Sequence, residues 1–161
     1  MKNYIIAFLA VALLVSISFI YRCEQKHSFN NFPGSHQETI KDDLENPFFL
    51  YFFFSGTNCM DCLEMIEVLN NLPEQFIVTG VVPDKELKNE TELRAKSSST
   101  FDLIGAKNFK KYSPHYWPTL IGVSKGNRIM FVLPGVPNEK EYLLNFLEEF
   151  YKEAYSILLQ L

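Results

Sequence analysis

The stretch FFLYFFFSGTNCMDCLEM, residues 48–65, places two cysteines three positions apart soon after a run of seven apolar residues. A continuous apolar run of this length, rich in aromatic side chains, is typical of a β-strand buried on both faces at the centre of a sheet. From residue 61 onward, apolar side chains recur at helical spacing, which predicts a helix that ends near Pro73. The cysteines therefore lie where a strand gives way to a helix.

The rest of the chain continues this alternation of strands and helices and predicts one α/β domain over residues 47–161. The predicted elements that follow are a strand at 76–82, a charged surface excursion with a helical turn at 84–96, a short strand at 101–104, a short helical stretch at 108–112, strands at 119–123 and 129–133, and a C-terminal helix. The last two strands flank a Gly126-Asn127 turn, which is a strong hairpin signal.

Composition limits the classes of function. A chain of 161 residues with 47% apolar content is long enough for one domain with its own core. A net charge of −4 without a basic cluster excludes the counterion-release binding on which nucleic-acid recognition depends. Three cysteines are too few for a disulfide-framework protein, so the close pair needs a different explanation.

The N-terminal region indicates a membrane location. Residues 4–21 are uncharged and almost wholly apolar, which is about the minimum length for a membrane-spanning helix. We therefore predict an N-terminal membrane anchor over residues 1–22, with a cleaved signal peptide as the alternative. Residues 23–46 are polar and are predicted to form a tether. We expect the domain to lie outside the cytoplasm, on the periplasmic or extracellular face.

The predicted order of elements resembles the thioredoxin fold, a three-layer α/β sandwich around a mixed sheet. The resemblance rests on three motifs, which occur in the expected order: Cys59-x-x-Cys62 opening the first helix, Trp117-Pro118-Thr119 entering the hairpin, and the Lys125-Gly126-Asn127 turn. The membrane segment and the long polar connection after residue 82 are similar to those of the anchored extracytoplasmic thioredoxin-like proteins of bacteria, the TlpA and ResA type.

This resemblance implies a thiol:disulfide oxidoreductase that acts on protein thiols and disulfides, is served by an upstream redox partner and needs no dissociable cofactor. It also implies that Cys59 is the nucleophile and that Pro118 is cis and packs beside the cysteine pair. A proline at a strand entrance leaves the backbone of the preceding residue free to pair with an extended substrate, so Trp117 and Pro118 are the predicted substrate-binding residues.

The chemistry of the cysteine pair supports unequal roles without reference to any family. A helix N-terminus carries partial positive charge, which stabilises a thiolate, so Cys59 should ionise more readily than a free cysteine. Cys62 lies three residues on and is close enough to resolve a mixed disulfide while remaining shielded from the substrate. Cys59 is therefore the predicted attacking thiol and Cys62 the predicted resolving thiol.

Several positions depart from the family pattern. Asn58 replaces the usual Trp before the first cysteine, and its side chain can cap the helix. Phe53 occupies the place of the buried acid of thioredoxin, and Met65 that of the ResA-type glutamate. Asp61 and Glu64 are candidate modulators, although both also fit solvated charges on a helix face. A carboxylate at Asp61 would raise the energy of the thiolate, which favours a reductant.

Three other interpretations of the cysteine pair remain open. Half a zinc site is one, although zinc needs about four ligands and no second Cys-x-x-Cys exists. A copper site formed by Cys59, Cys62 and His115, as in Sco-type chaperones, is another, although those proteins use a longer cysteine spacing. The third is a thioredoxin-like binding module with an inert disulfide. We predict no resident metal.

Overall fold

The computed structural model describes residues 32–33, 47–56, 62–112, 114, 116–135 and 140–158, with the side chains of the last helix described as far as residue 154. The chain divides into two compact units, Met1–Phe32 and Pro33–Leu161, and all the elements below belong to the second. Within the described ranges, no helix has the length and apolar character needed to cross a membrane. The predicted anchor and all but two residues of the predicted tether lie outside those ranges.

The predicted order of strands and helices is confirmed. The elements are β1 (Phe48–Phe53), α1 (Cys62–Asn70), β2 (Phe76–Val82), α2 (Asp84–Leu87), α3 (Glu90–Ser97), β3 (Asp102–Gly105), a 3-10 helix (Ala106–Phe109), β4 (Thr119–Val123), β5 (Ile129–Pro134) and α4 (Lys140–Leu158). The main difference is the charged excursion, which forms two helices instead of a single turn. The 3-10 helix also begins two residues before the predicted helical stretch.

The five strands form one mixed sheet in the order β3-β2-β1-β4-β5. Strand β1 is parallel to β2 and antiparallel to β4, so it occupies the centre. All six of its residues are buried, which confirms the prediction from the continuous apolar run. Since β1 and β2 are parallel, the chain must cross over between them, and α1 makes this crossover.

The two faces of β1 pack against different layers. Leu50 and Phe52 belong to the same core cluster as α1 and α4, represented by Ile66 and Leu147. On the opposite face, Phe109 of the 3-10 helix contacts the rings of two β1 residues, Tyr51 and Phe53. Full burial of a side chain of this size contributes about 1.5–3 kcal/mol, so the aromatic run of β1 is a major source of stability. The described layers thus agree with the predicted sandwich.

The predicted hairpin between β4 and β5 is also present. The Ser124 N–H donates to the Arg128 carbonyl at 2.9 Å, and the Asn127 N–H donates to the Ser124 carbonyl at 2.9 Å. Asn127 has φ of 61° and adopts the left-handed conformation that asparagine tolerates better than most residues. The Gly-Asn signal in the sequence therefore marks the residue that reverses the chain.

Candidate redox site

Cys62 is the first residue of α1, on the segment that follows the central strand. Its side chain is 1% exposed, and its sulfur is in a disulfide. The partner sulfur lies outside the described residues, which include neither Cys23 nor Cys59. Because the Cys62 sulfur is buried, a substrate in solution cannot reach it. Once reduced, the Cys62 thiol could react only with a group held inside the protein.

The Trp117–Pro118 peptide bond is cis, as predicted. Pro118 lies immediately before β4, and in the sheet register Thr119 pairs with Phe53, the last residue of β1. The proline therefore lies at the end of the sheet where β1 finishes and the chain continues toward the cysteines. Its distance from Cys59 involves a residue that the structure does not describe.

The backbone beside Pro118 is largely occupied by internal hydrogen bonds. The Pro118 carbonyl accepts from the Gly135 N–H at 2.9 Å, and the Tyr116 carbonyl accepts from the Thr119 hydroxyl at 2.6 Å. Among the hydrogen bonds between described residues, none uses the backbone of Trp117. The carbonyl groups of Tyr116 and Pro118 are therefore held by internal hydrogen bonds. The N–H and carbonyl of Trp117 make no hydrogen bond to other described residues.

Two exposed apolar side chains lie next in sequence to these residues. Tyr116 precedes Trp117 and is 71% exposed, and Leu63 follows Cys62 and is 47% exposed. Both are large side chains that leave apolar surface in water.

The structure describes one of the three predicted modulators. Glu64 is exposed on the outer face of α1, near Lys140 at the start of α4. The pKa of Lys140 is raised chiefly by its hydrogen bond to Glu67, an effect that burial opposes, and the charges of Glu67 and Glu64 raise it further. Glu64 thus has the surroundings of a solvated surface charge. Asn58 and Asp61 lie outside the described residues, and their roles stay predictions.

The two positions that correspond, by the resemblance described above, to acidic residues of thioredoxin and ResA-type proteins are apolar and buried. Phe53 is 0% exposed and Met65 is 2% exposed. Neither side chain can accept or deliver a proton. Any proton transfer at the cysteine pair therefore has to use water or a group at another position.

Metal ligation is an alternative interpretation of the cysteine pair. Within the described parts of the chain, no group of three or more His, Cys, Asp or Glu side chains is placed to hold a metal ion. A copper site would also need Cys59 and His115, which lie outside those parts. The copper and zinc interpretations therefore remain untested by this geometry.

One contact near the site was not predicted from the sequence. Glu86 of α2 accepts hydrogen bonds from the Ser55 hydroxyl at 2.7 Å and from the Gly56 N–H at 2.8 Å. These two residues lead from β1 toward the cysteines. Nothing in the sequence distinguishes Glu86 from the other acidic residues of the charged excursion, because the contact joins positions about 30 residues apart.

Several solved structures share this architecture. They include a thiol:disulfide interchange protein from a Bacteroides species (17% identity, TM-score 0.52, 65% of this chain and 73% of that chain covered). StoA from Bacillus subtilis (13%, 0.52, 67% and 87%) is another. A third is the pneumococcal exposed lipoprotein thioredoxin from Streptococcus pneumoniae (19%, 0.51, 64% and 84%).

The fold is thioredoxin-like. The predicted fold class is thereby confirmed for the described domain, because these structures align over about two thirds of the chain. No protein-family model matches the sequence, and no curated protein matches it. At identities below 20% the similarity establishes the fold, and the activity has to be argued from the site.

Proposed function

We propose that this protein is a membrane-anchored thiol:disulfide oxidoreductase that exchanges protein disulfides outside the cytoplasm through Cys59 and Cys62. The observation that carries the proposal is Cys62, a buried cystine sulfur at the start of the helix that follows the central strand. We infer that Cys59 is its partner, since the two are three residues apart. The structural relatives include a thiol:disulfide interchange protein and a thioredoxin.

In the proposed reaction the reduced protein attacks a substrate disulfide. The Cys59 thiolate forms a bond to one substrate sulfur while the substrate S–S bond breaks, and the departing sulfur takes up a proton as a thiol. The Cys62 thiolate then attacks Cys59, which releases the second substrate thiol and leaves the Cys59–Cys62 disulfide. Two electrons pass from the protein to the substrate. An upstream dithiol protein must return them for the next cycle.

The unequal placement of the two sulfurs supports this order of events. Cys62 is almost fully buried, so a bulky protein disulfide cannot approach it. Its attack on the mixed disulfide is an intramolecular step, and such steps are fast when the groups are held close together. Burial of the resolving thiol therefore protects the enzyme from attack at the wrong sulfur.

Trp117 supplies a docking position for the substrate chain. Because its backbone groups take no part in hydrogen bonds between described residues, an extended polypeptide can pair with them as an added strand. The exposed side chain of Tyr116 offers apolar surface next to that position. Such an arrangement selects an extended polypeptide over a small disulfide.

We propose that the protein works as a reductant. Asp61 places a negative charge between the two cysteines in the sequence. A negative charge disfavours the thiolate, and an unstable thiolate makes the dithiol a better electron donor. The protein should therefore have a reduction potential nearer the value of about −270 mV for thioredoxin than that of about −120 mV for DsbA.

Location is part of the proposal. Residues 4–21 would anchor the chain, and the pneumococcal relative is named an exposed lipoprotein. A C-terminal fusion to a reporter that is active only outside the cytoplasm should give signal, and the protein should stay with membranes after a high-salt wash. Signal only from a cytosolic reporter would contradict the proposed orientation.

The activity can be measured on the full chain in mild detergent. The reduced protein should break the interchain disulfides of insulin, and double substitution of Cys59 and Cys62 by serine should abolish this. A protein that binds copper or zinc stoichiometrically, with no insulin reduction, would contradict the oxidoreductase proposal. An inert disulfide would show neither metal binding nor turnover.

A further inference from the structure

Glu86 connects the charged excursion to the chain segment that leads to the cysteines. Its carboxylate accepts from the Ser55 hydroxyl through one oxygen and from the Gly56 N–H through the other. Both contacts are partly buried, and both distances are those of charge-assisted hydrogen bonds. A carboxylate that uses both oxygens on adjacent residues fixes the direction of the backbone as well as its position.

The packing of Gly56 gives independent evidence that this segment is held closely. A Cβ atom added at Gly56 would lie 2.4 Å from a methyl carbon of Leu93, which is 5% exposed on α3. A side chain at this position would require the buried Leu93 side chain to shift. The segment after β1 is therefore held by a hydrogen-bonded carboxylate of α2 and by close packing against α3.

Helix α2 is itself fixed from the other side. Asp84 accepts a hydrogen bond from the Lys107 N–H at 3.0 Å, at the start of the 3-10 helix. A Cβ atom at Gly105 would lie 2.5 Å from the Asp84 carboxylate, so the end of β3 also packs closely against α2. The element that carries Glu86 is thus attached to the sheet edge by contacts that do not involve Glu86.

We propose that Glu86 is a positioning residue for the cysteine pair, an inference that rests on the proposed oxidoreductase function. It fixes the backbone at Gly56, three residues before Cys59, and it keeps a negative charge at the base of the segment that carries the attacking thiol. Three residues span at most about 11 Å, which is about one Debye length at 0.1 M ionic strength. The charge is therefore close enough to act on the thiolate.

Two consequences follow from this placement. Loss of the hydrogen bonds should let the segment move, which lowers the fraction of time that Cys59 is presented correctly. Loss of the charge should make the thiolate more stable, which lowers the thiol pKa and shifts the potential toward a more oxidising protein. A residue with only a structural role would change the melting temperature without changing the potential of the folded protein.

The test compares Glu86→Ala and Glu86→Gln with Glu92→Gln in the full 161-residue chain, purified in mild detergent. Glu92 lines the same 270 Å³ surface cavity as Glu86 and Gly56, but it forms a salt bridge with Lys96 at 2.6 Å. The measurements are the equilibrium of the disulfide with glutathione, the rate of insulin reduction, and hydrogen exchange in the peptide that contains Gly56. Melting temperatures show whether each variant is folded.

We expect both Glu86 variants to shift the glutathione equilibrium at least threefold toward the reduced protein, which is about 14 mV for a two-electron couple. In Glu86→Ala we expect faster hydrogen exchange in the peptide that contains Gly56 and an insulin-reduction rate about tenfold lower than that of the wild type. Glu86→Gln keeps one acceptor oxygen and should lose less activity. Glu92→Gln should match the wild type in all three measurements.

Unchanged equilibrium and activity in both folded Glu86 variants would overturn the proposal, even if the Gly56 peptide exchanged faster. Equal shifts in Glu92→Gln would also overturn it, because the effect would then be one of general charge. A wild-type protein without an exchangeable disulfide would refute the proposed function itself. Hydrogen exchange would still report the Glu86 contact in that case, so the two failures are distinguishable.

Discussion

The ring of Phe53 contacts the ring of Trp117 edge-on, with 6.3 Å between the centroids and 88° between the planes. Phe53 is the last residue of β1, and Trp117 precedes Pro118 at the entrance to β4. This contact joins the strand that leads to the cysteines with the segment proposed to dock the substrate. Phe53 therefore contributes an aromatic contact between these two segments and no proton-transfer group.

Removal of the Trp117 ring should impair reduction of protein disulfides. An aromatic pair of this kind is worth about 0.5–1.5 kcal/mol beyond its buried area. If all of this energy holds the docking backbone in the conformation that binds substrate, its loss in Trp117→Ala corresponds to about a two- to tenfold loss in kcat/KM. Reduction of a small aromatic disulfide should change less, because a small molecule does not need the docking backbone. Steady-state kinetics with insulin and with the small disulfide would measure both.

Two control variants belong to that experiment. Trp117→Phe keeps an aromatic ring near Phe53 and should retain most of the activity. Tyr142→Ala removes an exposed aromatic residue on α4 and should leave the kinetics unchanged. Equal losses with both substrates in Trp117→Ala would show that the ring supports the fold and has no part in docking.

Asn70 ties the C-terminal end of α1 to the segment after α3. Its side-chain amide donates to the Ser98 carbonyl at 2.8 Å and accepts from the N–H and the hydroxyl of Thr100, each at 2.9 Å. At about 0.5–1.5 kcal/mol for each hydrogen bond, and with these groups partly in water, Asn70→Ala should cost about 1–2 kcal/mol in the free energy of unfolding. Chemical denaturation would measure this loss.

The neighbouring residue provides a matched control. Asn71 makes a local hydrogen bond to the Glu67 carbonyl four residues earlier, and its side chain is exposed. Asn71→Ala should therefore cost less than about 1 kcal/mol. If the two variants lost equal stability, the hydrogen bonds between α1 and the segment after α3 would add nothing measurable to the free energy of unfolding.

Tyr51 should make the protein sensitive to alkali. Burial raises the pKa of its phenol, so the folded protein holds the neutral form at a pH where the unfolded chain loses the proton. The free energy of unfolding should therefore fall as the pH rises above about 10, the ordinary tyrosine pKa. Tyr51→Phe should reduce the slope of this fall, while Tyr116→Phe, at an exposed position, should not. Unfolding curves between pH 8 and 11 would decide, and equal slopes in all three proteins would contradict the argument.

Local patterns predicted most of the fold. The apolar run of β1, the helical spacing after the cysteines and the Gly126-Asn127 turn each depend on residues close in sequence, and each prediction was confirmed. The two helices of the charged excursion were not predicted, because α3 has Leu93 as its one fully apolar buried residue and gives no amphipathic stripe.

The site was less accessible to sequence reasoning. Cys62 and Pro118 belong to recognisable motifs, and the structure places Cys62 at the start of α1 and Pro118 immediately before β4. The contacts of Glu86 and Asn70 join residues about 30 positions apart. No periodicity reports such a pairing, since it depends on how the excursion folds back onto α1.

The central claim is that the two cysteines have unequal roles in disulfide exchange, and trapping of mixed disulfides tests it most directly. Cys62→Ser removes the proposed resolving thiol, so covalent complexes with partner proteins should accumulate at Cys59 and disappear with reductant on a gel. Cys59→Ser should trap few such complexes. A metal site predicts that both substitutions weaken metal binding to a similar degree and trap no partner. An absence of mixed disulfides from Cys62→Ser, with copper bound to the wild-type protein, would contradict the oxidoreductase account.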